Sequence, residues 1–232
     1  MNAIRRAGSL LVGVALMAGC TERNAPTALR NHPGIAFGAA ALTSTITDPV
    51  GDVKDGVPGW QDIVGASVAK QGQNLVFTMD LAAPVPDNPP LPSWADLMLW
   101  HFSLDTDPTA FPVGYPFTKN SAGWQDVMVD HRVYRSGFTD TYDPTSGGDI
   151  LVDRRPLLTG GQVIITPIQL TIEGAKLTWV VDAALLPSTF QWAVGTVAAH
   201  AGGDVKNGYN NILVPDVAPD IFSGAPLATW PQ

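Results

Sequence analysis

Proline and glycine punctuate this chain so often that a long helix has almost nowhere to form. Twenty Pro and 23 Gly are spread over 232 residues, and each Pro removes a backbone donor and clashes with the turn before it. The segments between them are short and alternate. Leu75, Phe77, Met79 and Leu81 are separated by Val76, Thr78 and Asp80, the two-residue period of a half-buried strand. The same period recurs over Ile164 to Ile172, in Leu177-Trp179-Val181 and in Phe190-Trp192-Val194. Within the first of these, Pro167 lies on the face opposite the Ile and Leu series, which predicts an edge strand or a bulge. Breaks such as Asp87-Asn88-Pro89-Pro90, Ser146-Gly147-Gly148, Gly160-Gly161 and Glu173-Gly174 separate the runs, and the last predicts a tight hairpin. Single helical turns fit near Ala183 to Leu186 and Pro92 to Leu97. Roughly eight to ten strands follow, and with them an all-β fold, an antiparallel β-sandwich of jelly-roll-like kind.

The first residues read differently. Arg5 and Arg6 precede an apolar run from Leu10 to Ala18, too short to span a bilayer as a helix and of the right length for a secretory signal peptide. The run ends in Leu16-Met17-Ala18-Gly19-Cys20, which resembles the bacterial lipobox, and implies cleavage before Cys20 with lipid on its thiol. The alternative is a buried N-terminal helix with a chance Cys. Cys20 is the single cysteine of the chain, so no intramolecular disulfide braces the fold. The expected organisation is a signal peptide over 1–19, a lipidated N-terminus and flexible tether over 20–42, and one sandwich domain over 43–232. The expected location is the bacterial cell envelope, outside the cytoplasm. Thr21 after the cysteine, where the usual retention signal is an Asp, is compatible with the outer membrane of a Gram-negative cell.

The formal net charge is −8, and removal of Arg5 and Arg6 with the leader makes it about −10. That balance argues against nucleic acid and favours cations or neutral ligands. Asp48, Asp52, Asp55 and Asp62 fall within fifteen residues of a Gly- and Pro-rich segment, a setting in which calcium finds carboxylate and carbonyl oxygens. Asp105 and Asp107 form a second acidic cluster. Asp is equally a turn residue through its own side-chain hydrogen bonds, so both clusters have a purely structural alternative. Gly51-Asp52-Val53-Lys54-Asp55-Gly56 returns nearly unchanged as Gly203-Asp204-Val205-Lys206-Asn207-Gly208, without the fixed period of a repeat protein. It is either a recurring turn sequence or the same chemistry used twice.

Taken in order, DPVGD at 48–52, Asp62-Ile63, NLVFTMDL at 74–81, the DTD of 105–107, LTWVVDAALL at 177–186, FQWAVGTVA at 190–198 and Asp216-Val217-Ala218-Pro219-Asp220 resemble bacterial extracellular sandwich domains. These are the DOMON superfamily and the family 9 carbohydrate-binding modules. The resemblance covers about residues 43 to 222. It implies a β-sandwich, a sugar or sometimes haem as ligand, and in some members a structural calcium.

Sugar-binding sandwiches stack pyranose rings on exposed aromatics and bond the hydroxyls with carboxylates and amides. Trp60, Trp94 and Trp124 lie in or beside loops, and Trp60 and Trp124 each precede a Gln-Asp pair through Gln61 and Gln125. Packing against the ends of the sandwich is the competing role for all three. Trp100, Trp179 and Trp192 lie within strand-like runs and are expected in the core. Haem ligation is disfavoured, because Met128 with His131 and Met98 with His101 are three residues apart on strands and so face opposite ways. The four His form no metalloprotease pair, and no Gly-x-Ser-x-Gly elbow, phosphate-binding loop or dinucleotide fingerprint is present. The expectation is a membrane-anchored, non-catalytic binding module with a polysaccharide ligand. The alternatives are a structural or protein-interaction lipoprotein of the envelope, and a glycoside hydrolase, whose two acids no local pattern reveals.

Overall fold

The computed structural model describes residues 42–53, 55–107, 126–137, 148–200, 210–220 and 225–231. Among them twelve strands form two antiparallel sheets packed face to face, the β-sandwich that the alternation predicts. One sheet has the order β1-β2-β3-β9-β8: β1 is Thr43–Thr47, β2 Ile63–Gln71, β3 Asn74–Leu81, β8 Gln169–Glu173 and β9 Lys176–Asp182. The other has the order β11-β10-β4-β5-β6-β7, with β12 paired to the start of β10. Here β4 is Leu97–Asp105, β5 Val127–Tyr134, β6 Gly148–Asp153, β7 Ile164–Pro167, β10 Phe190–His200, β11 Asn210–Ala218 and β12 Ala228–Trp230.

Two hairpins set the register of the first sheet. Gln71 pairs with Asn74 and Glu173 with Lys176, so each loop has two residues. Each begins with a glycine at positive φ, Gly72 at 61° and Gly174 at 62°, a conformation that any Cβ would strain. The Glu173-Gly174 turn is therefore where the sequence places it.

The alternating residues Leu75, Phe77, Met79 and Leu81 of β3 point inward and are buried, as are Leu177, Trp179 and Val181 of β9. They meet Trp100, Phe102 and Leu104 of β4 and Trp192 and Val194 of β10. Phe102 is the hub: its ring lies 5.1 Å from Phe77 and 5.6 Å from both Trp179 and Trp192. Such aromatic pairs add about 0.5–1.5 kcal/mol each beyond the area they bury. The indole N–H of Trp192 donates to the Ser44 hydroxyl at 3.0 Å, tying β10 to β1 across the sandwich.

Two features differ from the plain alternation. All nine residues of β4 are buried, because the sheet is also buried on its far side, where Leu97, Leu99, Met128, Ile150, Val152 and Ala199 form a second apolar cluster. The Asp130–Arg132 ion pair, at 2.6 Å, lies buried on that side too. The run 164–172 is not one strand but two: β7 ends at Pro167 on the edge of the seven-stranded sheet, and β8 begins at Gln169 on the edge of the other. Pro167 cannot extend the ladder, and the chain crosses between sheets at Ile168. Alternation continues across the crossing, so periodicity alone hides it.

Candidate functional site

Two regions gather polar side chains. The first lies where β1 runs into the loop before β2. The amide of Asp48 donates to the Val64 carbonyl at 3.2 Å, and the amide of Gly51 donates to Oδ2 of Asp62 at 2.9 Å, so the loop curls back on itself. Asp216 of β11 enters from the other sheet, its Oδ2 accepting from the Ile63 amide at 2.6 Å and its Oδ1 from the Val217 amide at 2.7 Å. One carboxylate oxygen each from Asp48, Asp52 and Asp216 then lies within 4.8 Å of the others. The carboxyl of Asp48 is pushed up to about 7 by its burial, and further by Asp216, Asp52, Asp62 and Asp220. Burial raises Asp216 to about 6 against the two amides that favour its charged form, with Asp52 and Asp62 adding repulsion. Asp62 is buried and its Oδ1 has no hydrogen-bond partner. Packed carboxylates that repel one another are what a hard divalent cation neutralises.

Of the four acids that the sequence groups together, Asp48 and Asp52 belong to this triad, Asp62 shapes the loop beside it, and Asp55 is exposed outside it. Asp216 was part of the family resemblance and not of the predicted ligand set. Its local signal is a charged residue inside the apolar run Ile212-Leu213-Val214-Pro215-Asp216-Val217-Ala218, which a strand tolerates only when the charge has partners. Asp105 and Asp107 end β4 in a turn, the Asp107 amide donating to Asp105 Oδ1 at 3.2 Å. Burial, followed by repulsion from Asp126, raises Asp105 to about 6. Asp126 itself accepts from the Thr106 amide at 3.0 Å and from its hydroxyl at 2.6 Å. Among the described residues these acids form no second group of three.

The aromatic candidates separate. Trp60, in a 3-10 turn over Gly59–Gln61, packs half-buried on the core with its ring 6.0 Å from that of Trp100, and its carbonyl accepts from the Trp100 indole at 3.0 Å. Gln61 is buried, its side-chain amide donating to the Met98 sulfur at 3.0 Å and its backbone carbonyl accepting from the Thr196 hydroxyl at 2.9 Å. Trp94 is 40% exposed on the β3–β4 loop. Arg135 holds that loop in shape, donating to the carbonyls of Pro92 at 2.8 Å and of Ser93 and Ala95 at 3.0 Å. Trp124, Gln125, Cys20 and the second Gly-Asp-Val-Lys loop lie outside the described residues.

The second region is a cleft about 650 Å³ in volume. Its walls are the β3–β4 loop on one side, β5 on the floor and the β8–β9 hairpin on the other. The Val85 amide donates to the Gly174 carbonyl at 3.0 Å and the Leu81 amide to the Ala175 carbonyl at 2.8 Å, which clasps the loop against the hairpin. Asp87, Asn88, His131 and Tyr134 bring polar groups to an apolar lining that includes Leu91 and Val133. His131 stacks on Trp100 at 5.4 Å, and its Nδ1 lies 2.7 Å from Asp149 Oδ1 on the next strand. Met128 belongs to the far-side cluster while His131 lines the cleft, the opposite orientation that a spacing of three demands. Sequence reasoning missed this site because its members are spread from 85 to 174, and no local pattern joins them.

The described residues form an all-β sandwich that carries an acidic triad and a cleft. The chain matches no model of a protein family, and no curated protein matches it.

Proposed function

We propose that this chain is an extracytoplasmic binding module of the bacterial envelope, tethered by lipid on Cys20, non-catalytic, with a carbohydrate as its ligand. The cleft carries the reading. Its volume of about 650 Å³ falls in the range of small-molecule sites, as does the mixture of apolar wall and a few convergent polar groups. Tyr134 supplies a ring face, and Asp87, Asn88 and His131 supply partners for hydroxyls. The exposed Trp94 sits on the loop that forms one wall, and the resemblance to DOMON domains and family 9 modules points to the same ligand class. Binding is favoured over glycoside hydrolysis because Asp87 is the one acid among the described residues of the lining, whereas that chemistry uses a facing pair. Calcium at Asp48, Asp52 and Asp216 would serve as a structural brace between the sheets. No helix among the described residues is long and apolar enough to cross a membrane, and the lipid takes over attachment in this reading.

Calorimetric titration of the full chain with a panel of soluble oligosaccharides tests it. Binding to one class, weakened at least tenfold by Asn88→Ala and by Tyr134→Ala with unchanged circular dichroism, is the expected result. Absence of heat across the panel, or binding indifferent to both substitutions, overturns it.

A further inference from the structure

We infer that Asp62 completes a calcium site at Asp48, Asp52 and Asp216 without touching the ion, its buried carboxylate oxygen accepting from a water that the ion carries; the inference rests on the calcium part of the reading above and not on its sugar. Three hydrogen bonds fix where Asp62 lies. Its amide donates to the Gly59 carbonyl at 3.3 Å, its carbonyl accepts from the Ala82 amide at 2.8 Å, and its Oδ2 accepts from the Gly51 amide at 2.9 Å. Gly51 directly precedes Asp52, and Ile63, which directly follows Asp62, gives its amide to Asp216. The residue is thereby tied to two members of the triad, and its charge bears on both Asp48 and Asp216.

Only 4% of Asp62 is exposed, and its Oδ1 meets no hydrogen-bond donor among the described residues. Oδ2 of Asp48, also buried, meets none either. A buried acceptor calls for a partner, and ionised carboxylates cannot serve one another because they only accept. A calcium ion answers Asp48 directly. Asp62 stands outside the set whose oxygens lie within 4.8 Å of one another, so a different group must reach it. Calcium takes about six to eight oxygens, and three carboxylates leave places for water among them. Such a water turns its protons away from the ion and can donate to Oδ1 beyond the triad. Magnesium suits the site less well. It demands a near-ideal octahedron at about 2.0–2.1 Å, whereas both oxygens of Asp216 are already aimed by the Ile63 and Val217 amides.

The test is calorimetric titration of the full chain with calcium, following the binding that Asp52→Ala removes. Asp62→Ala weakens that binding about tenfold or more, the usual cost of losing a partner that orients a metal's own ligands. Asp62→Asn, which keeps an oxygen for the water and loses the charge, weakens it about threefold. Melting in calcium and in chelator separates the ion from the loop: a residue that only shaped the loop would lower both melting temperatures equally, whereas Asp62→Ala lowers the one in calcium more. Terbium bound in place of calcium, with its emission lifetime compared in ordinary and heavy water, counts the waters on the ion, and at least one is expected. Wild-type calcium affinity in Asp62→Ala, or in Asp62→Asn where the Ala variant does not fold, overturns the inference and leaves the brace standing, as does a bound terbium that carries no water. A wild type that binds no calcium overturns the inference and the brace together, while the carbohydrate reading is decided by the oligosaccharide panel alone.

Discussion

Oδ2 of Asp216 accepts a hydrogen bond from the backbone amide of Ile63 at 2.6 Å, across 153 residues of sequence. The bond joins β11 of one sheet to the first residue of β2 in the other. It also delivers a carboxylate to the acidic loop that follows β1. One side chain therefore has two roles, as an acceptor for a buried amide and as a member of a repelling triad.

Substitutions at Asp216 separate those roles. Asp216→Ala leaves the Ile63 and Val217 amides without their acceptor, and a lost hydrogen bond to a charged group costs about 1.5–3 kcal/mol. Asp216→Asn retains an acceptor oxygen and relieves repulsion, so it is the milder change. Urea unfolding of the three proteins in chelator gives the order, and an Asn variant less stable than the Ala variant contradicts it.

Calcium is expected to raise the melting temperature of the wild type, and Asp52→Ala to abolish the rise. Asp52 is exposed, so its removal spares the fold while taking one ligand from the triad. At a hundredfold excess over the dissociation constant the stabilisation is about 2.7 kcal/mol. Identical melting curves in calcium and in chelator reject the brace.

Stability in chelator is expected to vary with pH in two limbs. Asp48, raised to about 7, and Asp216 and Asp105, each raised to about 6, bind protons more readily folded than unfolded. Their contribution is present at low pH and is lost as pH rises through those values, so acidification from pH 8 towards 6.5 stabilises the protein. His101 works the other way. Burial, with Arg154 and Arg132 nearby, lowers it to about 3, so its contribution is present above the ordinary histidine value and is lost as pH falls towards 3. Three carboxyls outweigh one histidine from about pH 8 down to the ordinary carboxylate value, so the histidine limb lessens the gain on acidification without reversing it. Calcium, by favouring the charged carboxylates, flattens the carboxyl limb. Urea midpoints measured at half-unit intervals with and without calcium separate the two limbs, and a rise in stability from pH 6.5 to 8 in chelator refutes the assignment.

Among the described glycines, Gly195 is the most intolerant of a side chain. A Cβ there would meet Nε2 of His101 at 2.8 Å, and both positions are in the middle of paired strands, His101 opposite Gly195. Gly195→Ala is expected to cost about 1–3 kcal/mol as an overpacking defect. The same substitution in a His101→Ala background is expected to cost much less, and the double-mutant cycle measures the difference. Equal costs in the two backgrounds would place the strain elsewhere.

How much of this was legible beforehand varies by element. Strands β3, β9 and β10 carry their inward residues in plain alternation, and Trp100, Trp179 and Trp192 are the core residues that their positions predict. Strand β4 is harder, because burial on both faces erases the period. The division of 164–172 between two sheets is invisible locally, since Pro167 marks an edge without saying which edge the next residue joins. Asp48 and Asp52 were readable as candidate ligands from composition and spacing. Asp216, their third member, reaches them from the other sheet, where its side chain crosses to the Ile63 amide.

Backbone sterics and local burial patterns make it legible from the residues alone that this is a β-protein, that a hairpin turns at Glu173-Gly174, that Trp100, Trp179 and Trp192 fill its centre and that acidic loops occur. Long-range packing settles which strands share a sheet, which acids converge, that Trp60 leans on the core while Trp94 is partly exposed, and that a cleft is lined by His131. Those depend on contacts between residues tens to more than a hundred positions apart, and the free energy of such contacts is settled by the packing of whole sheets rather than by any segment alone.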